Sequence, residues 1–301
     1  MREWMEYAIA WSAVKALGML PRSAARFVGA RIVALAYFLR APLRQTAMIN
    51  LQLAFPNASE AERRRIARGM IRQIGWLAGE FSQFPKHTRQ NIAQVVILDG
   101  QENFDAGQRR GKGVLFLTGH FSAWGLMSFS HALYGYPLHF LVRPQANSRV
   151  DRLINEYRCL SGNRPIDKNR SARAILKVLG KGGTVGILAD INTILQEGVF
   201  VNFFGVPACT TSGLARIALR TDTAVVPVFL IWDEQLRKYR LRFEPAVELT
   251  RTGDEEADVL ENTARFTRIL EDQIRKHPEQ WLWVHKRWKT RPRGEKSIYP
   301  F

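Results

Sequence analysis

The stretch GVLFLTGHFSAWG, residues 113–125, decides how the fold is interpreted. It opens with a short apolar run, closes that run with a glycine, and continues into a helical pattern. A short apolar run bounded by turn residues is typical of a buried strand. The stretch therefore predicts a strand that turns into a helix, with His120 at the carboxyl end of the strand.

A second stretch has the same form further along the chain. The run TVGILAD, residues 184–190, is apolar until it reaches Asp190. In open α/β sheets, sites form at the carboxyl ends of the strands. We therefore expect the chemistry of the protein at the sheet edge where His120 and Asp190 are presented.

Strand-like and helical stretches alternate through most of the chain, which predicts an α/β fold with a central, largely parallel mixed sheet flanked by helices. The predicted strands are Val95–Leu98, Gly113–Leu117, Leu138–Val142, Thr184–Leu188, Ala224–Ile231 and Tyr239–Phe243. The predicted helices between and after them are Leu126–Leu133, Val150–Leu160, Ser171–Leu179, Ser212–Arg220 and Asp254–Lys276.

The N-terminal region contains two apolar segments, residues 4–20 and 23–39, separated by Pro21. Each is interrupted by two charged residues, so neither is the uninterrupted run of about 20 apolar residues that a spanning helix needs. We expect two amphipathic helices that lie on or dip into a bilayer. The alternative is a pair of core helices of a soluble domain. The chain is therefore divided into a membrane-associating region, residues 1–40, and a catalytic domain, residues 41–301.

The charge balance indicates an anionic partner. Lys and Arg number 44 against 27 Asp and Glu, which gives a net charge of +17. Nucleic acid, an anionic membrane face and an acidic protein all fit such a surplus. The sequence has no Walker-type glycine loop, no recognisable RNA-binding motif and no zinc-ligand spacing at Cys159 or Cys209. Nucleic acid is therefore not expected as a partner, and no metal or cofactor is expected.

His120 is the candidate general base. A histidine that takes a proton from a hydroxyl usually needs a carboxylate on its other ring nitrogen to fix the tautomer. A carboxylate five residues on would serve, but Gly125 occupies that position. Asp190 is the best substitute, although it also fits a helix N-cap or a loop residue.

Five blocks of sequence resemble one known family, the lipid A late acyltransferases of the glycerolipid acyltransferase superfamily. They occur in the family's order and cover most of the chain, from about Arg44 to Pro292. The blocks are NL with AFP at 50–56, GHFSAW at 119–124, RP at 143–144, VNFFGVPACT at 201–210 and WLWVHKRWKTRP at 281–292.

The resemblance implies roles for individual residues. The family's motif is His-x4-Asp/Glu, so His120 matches the base and Gly125 stands where the acid is expected. Loss of activity is favoured over rescue by Asp190. The resemblance also implies a set of substrate-binding residues: Arg143 for a phosphate, and Phe203, Phe204, Gly205, Pro207 and Pro227 for the acyl groove and its surroundings.

The implied function is O-acyl transfer from acyl carrier protein to a hydroxyl of a lipid A precursor. The implied location is the cytoplasmic face of the bacterial inner membrane, with its anionic leaflet as a further partner. The cationic and aromatic segment around His285 is interpreted as an interfacial anchor. Two alternatives remain: a non-catalytic homologue that binds acyl lipid or carrier protein, and an acyltransferase for another glycolipid or a lysophospholipid.

Overall fold

A computed structural model describes residues 1–168 and 171–300 of the chain. The strands in these residues are β1 (Val96–Asp99), β2 (Val114–Thr118), β3 (His139–Val142), β4 (Arg164–Asp167), β5 (Thr184–Leu188), β6 (Gly198–Phe203), β7 (Val206–Thr211), β8 (Ala224–Asp233) and β9 (Lys238–Phe243). The α-helices are α1 (Arg2–Met19), α2 (Arg22–Leu39), α3 (Ala41–Ala54), α4 (Glu60–Gln83), α5 (Gln101–Arg109), α6 (Trp124–Leu133), α7 (Ser148–Cys159), α8 (Ser171–Leu179), α9 (Gly213–Thr221) and α10 (Glu255–Lys276).

Seven strands form the central sheet in the order β1-β9-β8-β2-β5-β3-β4. Every neighbouring pair is parallel except β8 and β9, which form an antiparallel pair. The remaining strands, β6 and β7, form a separate antiparallel hairpin. The prediction of an α/β fold with a largely parallel mixed sheet is therefore confirmed.

Strand β2 lies in the middle of this sheet and is buried on both faces. Leu115 and Leu117 point into one hydrophobic core, and Val114 and Phe116 point into the other. All five residues of β2 are buried, as expected for a strand of a parallel sheet covered by helices on both sides. The catalytic candidate that follows β2 is thus carried by the most enclosed strand of the fold.

All six predicted strands and all five predicted helices are present, with boundaries shifted by two residues at most. Helix α4 follows the polar turn at 57–59, and Ser59 caps it by accepting a hydrogen bond from the backbone N–H of Glu62 at 3.1 Å. The sequence analysis missed β4, the β6–β7 hairpin and α5.

Helix α2 packs on α4 with its backbone almost in contact. A Cβ atom added to Gly75 would overlap the Cα of Ala30, and one added to Gly79 would lie 2.8 Å from the Cα of Arg26. Gly29 faces the backbone of Gly75 from the other side. We call these three glycines the glycine seam. It allows α2 to pack tightly against α4.

The N-terminal helices leave many apolar side chains uncovered. Helix α1 has no buried residue. None of the helices in the described part of the chain combines the length and apolarity that a bilayer crossing requires. The large apolar side chains that α1 and α2 expose are Trp4, Met5, Ile9, Trp11, Met19, Phe27, Ile32, Leu35, Phe38 and Leu39.

Candidate active site

The sheet brings His120 and Asp190 together at its carboxyl edge. Strands β2 and β5 are parallel neighbours, with Thr118 opposite Leu188. His120 follows β2 by two residues and Asp190 follows β5 by two residues. The register of the two strands therefore places both side chains at the same level beyond the sheet.

Asp190 contacts His120 through both carboxylate oxygens. Oδ1 lies 2.8 Å from the ring Nδ1 of His120, and Oδ2 accepts the backbone N–H of His120 at 2.6 Å. Trp281 donates a third hydrogen bond, from Nε1 to Oδ2 at 2.7 Å. Asp190 is buried, whereas 15% of the His120 side chain is exposed. The imidazole is thus fixed from the protein side and open on the other.

The surroundings of Asp190 keep it ionised. Burial alone would raise its pKa, but the neighbouring charge of His120 and the hydrogen bonds from His120 and Trp281 outweigh burial and lower the pKa to about 2. An ionised carboxylate can only accept hydrogen bonds, so Nδ1 of His120 carries the hydrogen. The lone pair of Nε2 is then available to take a proton from a bound hydroxyl.

The turn that carries His120 is held by distant parts of the chain. Ser122 has a positive φ of 45°, an uncommon conformation for a residue with a side chain. Its backbone N–H donates to the carbonyl of Gln280 at 2.6 Å, and its Oγ donates to Oε1 of Gln73 at 2.8 Å. Phe121 also forms an isolated backbone bridge with Trp281. These contacts offset the strain of the turn and fix the direction of the imidazole.

Gly125 lies in the first turn of α6, where the resemblance leads us to expect an acid. A Cβ atom there would meet only Cδ1 of Leu77 at 3.7 Å and Cζ of Phe84 at 3.9 Å. Both distances are ordinary van der Waals contacts, so the position has room for a Cβ atom. The carboxylate that contacts His120 is that of Asp190, two residues beyond the end of β5.

The C-terminal segment around His285 is part of the core, so its interpretation as an interfacial anchor was wrong. Trp281, Trp283, Trp288 and Arg287 are each at most 1% exposed. Nε2 of His285 accepts the backbone N–H of Asn192 at 3.1 Å. Burial is the main reason that its pKa falls to about 4, so this histidine is neutral near pH 7. The segment supports the loop after Asp190 from behind.

Arg143 lies beyond the carboxyl end of β3, at the same edge of the sheet as His120, and is exposed. The structure thus leaves its guanidinium accessible at the edge where the candidate site opens.

The apolar turn predicted around Phe203 is the tip of the β6–β7 hairpin. Phe204 and Gly205 form the turn with positive φ values of 53° and 77°. Phe203 and Phe204 are buried, and the ring of Phe203 lies 5.6 Å from that of Trp281. Pro207 follows the turn in β7. In the structure Phe203 packs on the tryptophan that donates to Asp190, and Phe204 packs on Phe203.

Pro227 lies inside β8, as the sequence indicates. It is the last residue of β8 that pairs with β2, opposite Leu117. The antiparallel ladder with β9 begins at the next residue, Val228. The proline therefore marks the change of partner along this strand.

No group of three or more metal-ligating side chains occurs in the described residues. The two cysteines, Cys159 and Cys209, are both free thiols. A buried carboxylate, an oriented imidazole with one free nitrogen and an opening on one side are the features that general-base catalysis on a bound hydroxyl requires.

Comparison with known proteins places this chain in one family. The model of the family described as "bacterial lipid A biosynthesis acyltransferase" matches residues 1–290 of the chain. The chain is 28% identical over 297 residues to a lipid A biosynthesis palmitoleoyltransferase of Escherichia coli (strain K12), covering 98% of this chain and 94% of the relative. It is 26% identical over 300 residues to a lipid A biosynthesis myristoyltransferase of the same organism, covering 97% and 92%. An E. coli lipid A biosynthesis lauroyltransferase is 28% identical over 253 residues, or 83% and 80%.

The family match, over residues 1–290, runs through both N-terminal helices and the whole sheet. The chain belongs to the bacterial lipid A biosynthesis acyltransferase family, and it is an acyltransferase.

Residues that sequence reasoning missed complete the site. Trp281 donates to Asp190, and Gln73 and Gln280 hold the turn at Ser122. Trp281 stands in one of the blocks that carry the resemblance, which was the available signal. Gln73 and Gln280 carry no sequence signal of their own.

Proposed function

We propose that the chain transfers a fatty acyl group from acyl carrier protein to a hydroxyl of a lipid A precursor, with His120 as general base. The observation that carries the proposal is the pairing of Asp190 with Nδ1 of His120, which leaves Nε2 free. Family membership supplies the reaction class. The lipid acceptor follows from the names of the relatives, which are lipid A acyltransferases.

The acceptor hydroxyl, the thioester and the imidazole of His120 are sufficient to balance the reaction. Nε2 of His120 removes the proton of the acceptor hydroxyl as its oxygen attacks the carbonyl carbon of the thioester. The tetrahedral intermediate then collapses, the carbon–sulfur bond breaks, and the new ester bond remains. The departing thiolate takes the proton back from the imidazolium, so His120 returns to its starting state. Asp190 stabilises the imidazolium while it exists.

Asp190 orients the imidazole of His120, which is the role that the acid of the His-x4-Asp/Glu motif would have. It already occupies Nδ1, the nitrogen that an orienting acid needs. Gly125 removes one carboxylate from the neighbourhood of His120 without removing this contact. The proposal is therefore an active enzyme in which Asp190 orients the base.

Several features fit the proposed partners. Carrier protein, phosphorylated lipid and an anionic leaflet are all acidic, and the chain carries a net charge of +17. Arg143 is exposed at the edge of the sheet where the site opens and suits a phosphate of either substrate. Residues 1–40 expose apolar side chains along α1 and α2. We assign these residues to peripheral contact with the cytoplasmic face of the inner membrane, and residues 41–301 to catalysis.

A second candidate is a homologue that binds acyl lipid or carrier protein without turnover. Gly125 favours it, because the motif of the family has lost its acid. When both substrates are present, the first candidate predicts acyl transfer and the second predicts binding without transfer.

The test measures acyl transfer from acyl carrier protein to a lipid A precursor under single-turnover conditions. The chain is compared with His120→Gln and with His139→Gln, a control at the amino end of β3. We expect transfer by the chain and by His139→Gln, and a loss of at least about a hundredfold in His120→Gln. Binding of both substrates without transfer by any of the three would establish the second candidate.

A further inference from the structure

A groove of about 640 Å³ lies between α2 and α4, away from the His120 site. Arg44 of α3 and Arg237 of the turn between β8 and β9 also line it. Both helices contribute apolar side chains to its walls. These are Phe27, Ala30, Ala34, Phe38, Ile71 and Trp76.

Six arginines line the same groove, and no acidic residue is among the side chains that line it. They come from four separate parts of the chain, so the fold gathers them. They are Arg26, Arg31, Arg44, Arg68, Arg72 and Arg237.

Two of the six arginines have acidic partners outside the lining. Arg26 lies 3.7 Å from the carboxylate of Glu80 and stacks over the ring of Trp76 at 3.4 Å. Arg72 pairs with the exposed Glu234 at 3.2 Å. These two guanidinium groups are therefore partly neutralised.

The other four keep an unbalanced positive charge. Arg44 donates to backbone carbonyls at the end of α2, which satisfies its hydrogens but not its charge. Arg31, Arg68 and Arg237 form no ion pair with any described residue. Like charges gathered at one groove repel one another, and a bound anion relieves that repulsion.

The chemistry of the groove selects an amphiphile. Guanidinium groups bind a phosphate through two parallel hydrogen bonds, which favours a phosphodiester at the arginines. The apolar walls between the helices suit a hydrocarbon chain, since removing apolar surface from water is favourable. Exposed Phe27 and Phe38 continue the groove towards the uncovered apolar face of α2.

The groove and the candidate active site lie on different faces of α4. Arg68, Arg72 and Trp76 point into the groove. Gln73 instead contacts Ser122 of the catalytic turn, and Leu77 lies beside Gly125. Helix α4 therefore separates the two sites.

We propose that the groove between α2 and α4 is a binding site for an anionic glycerophospholipid of the bilayer, distinct from the site that binds the reacting lipid. The phosphate lies among Arg31, Arg68 and Arg237, and one acyl chain lies between the helices. The site does not depend on the proposed acyl transfer, because none of its residues contacts His120 or Asp190.

The test titrates a soluble short-chain phosphatidylglycerol into the full chain and follows tryptophan fluorescence, since Trp76 lines the groove. We expect saturable binding that Arg31→Gln/Arg68→Gln weakens about tenfold, the loss expected for charge-assisted hydrogen bonds to phosphate. The control, Arg65→Gln/Arg89→Gln, removes the same charge from exposed positions outside the groove and is expected to bind within about twofold of the original chain.

Further variants and ligands in the same titration locate the site and identify its ligand. The fluorescence change is expected to disappear in Trp76→Phe and to persist in His120→Gln, whether or not that variant transfers acyl groups. Phosphatidylcholine with the same acyl chains is expected to bind about tenfold more weakly than phosphatidylglycerol, because it lacks the net negative charge. Inorganic phosphate is also expected to bind about tenfold more weakly, because it lacks the hydrocarbon chains.

Three outcomes would overturn the proposal. Equal weakening in the two double variants would show only general charge attraction. Equal binding of phosphatidylcholine would show an apolar surface without a phosphate site. Displacement of phosphatidylglycerol by a phosphorylated lipid A precursor would assign the groove to the acceptor instead.

Discussion

Asp190 binds His120 at two atoms, with Oδ1 on the ring Nδ1 at 2.8 Å and Oδ2 on the backbone N–H at 2.6 Å. One carboxylate thus fixes both the position of the residue and the orientation of its ring. Because Trp281 donates to the same carboxylate from the opposite end of the chain, the pair is also tied to the C-terminal segment.

Asp190→Asn is expected to lower kcat by about 10⁴, as the same change does in serine protease triads, while KM stays within about threefold. The amide can donate as well as accept, so it no longer enforces the tautomer and carries no charge to stabilise the imidazolium. Single-turnover transfer and substrate binding are measured together.

Asp99→Asn is the control for this change, since Asp99 ends β1, a strand that runs antiparallel to β2 and is separated from it by β9 and β8. It is expected to leave kcat unchanged. If Asp190→Asn instead raises KM and lowers thermal stability while kcat is preserved, Asp190 is a structural residue only.

Gly125→Glu is expected to leave kcat within about threefold of the original chain, because Asp190 already occupies the nitrogen that an acid would orient. The position accepts a Cβ without overlap, so the variant is expected to fold. The measurement is acyl transfer to a lipid A precursor. A gain of several hundredfold would instead show a vacated catalytic position and an Asp190 that cannot replace the missing acid.

Gly75→Ala is expected to destabilise the fold by about 1–3 kcal/mol, because the new Cβ overlaps Ala30 and forces α2 away from α4. The intrinsic gain of replacing glycine in a helix, about 1 kcal/mol, is too small to compensate. Gly125→Ala is the matched control, since its Cβ meets only ordinary contacts, and it is expected to stabilise by up to about 1 kcal/mol. Denaturant unfolding measures both, and equal effects would contradict the close packing at the glycine seam.

His131→Phe is expected to flatten the dependence of stability on pH below neutrality. Burial among aromatic rings lowers the pKa of His131 from 6.5 to about 3, so between these values only the unfolded chain binds its proton. The free energy of unfolding therefore decreases as pH falls through this window, by about 2 kcal/mol between roughly pH 8 and pH 5 from this residue alone. Unfolding of both chains at the two pH values gives the difference. An identical pH dependence would mean that His131 is not the group responsible.

The fold was predictable where strands are buried and apolar. The runs GVLFL and TVGIL are too apolar for any position except the centre of the sheet. In the structure they form the neighbouring strands β2 and β5. The missed strand β4 has one buried residue, Ile166, at the edge of the sheet, so its sequence carries almost no apolar signal. The missed helix α5 is mostly polar and buries only Phe104 and Gly107. In such elements tertiary contacts decide the structure.

The site was predictable only in part. The sequence places His120 and Asp190 after separate strands, but their contact depends on β2 and β5 being neighbours in register, which no local pattern encodes. For that reason the sequence favoured loss of the orienting acid. The burial of Trp281 and Arg287 was not predictable either, because a cationic and aromatic segment has the same composition on a surface as in a core.

The glycine seam has a consequence for how the enzyme meets a surface. With no side chain between Gly29 and Gly75, α2 cannot tilt without tilting α4, and Gln73 of α4 holds the turn next to His120. If α2 contacts the membrane and His120 is the base, as we propose, then the membrane surface against α2 sets the depth and angle at which Nε2 meets an acceptor hydroxyl. The reach of the enzyme into a lipid layer would then depend on three backbone contacts remote from the chemistry.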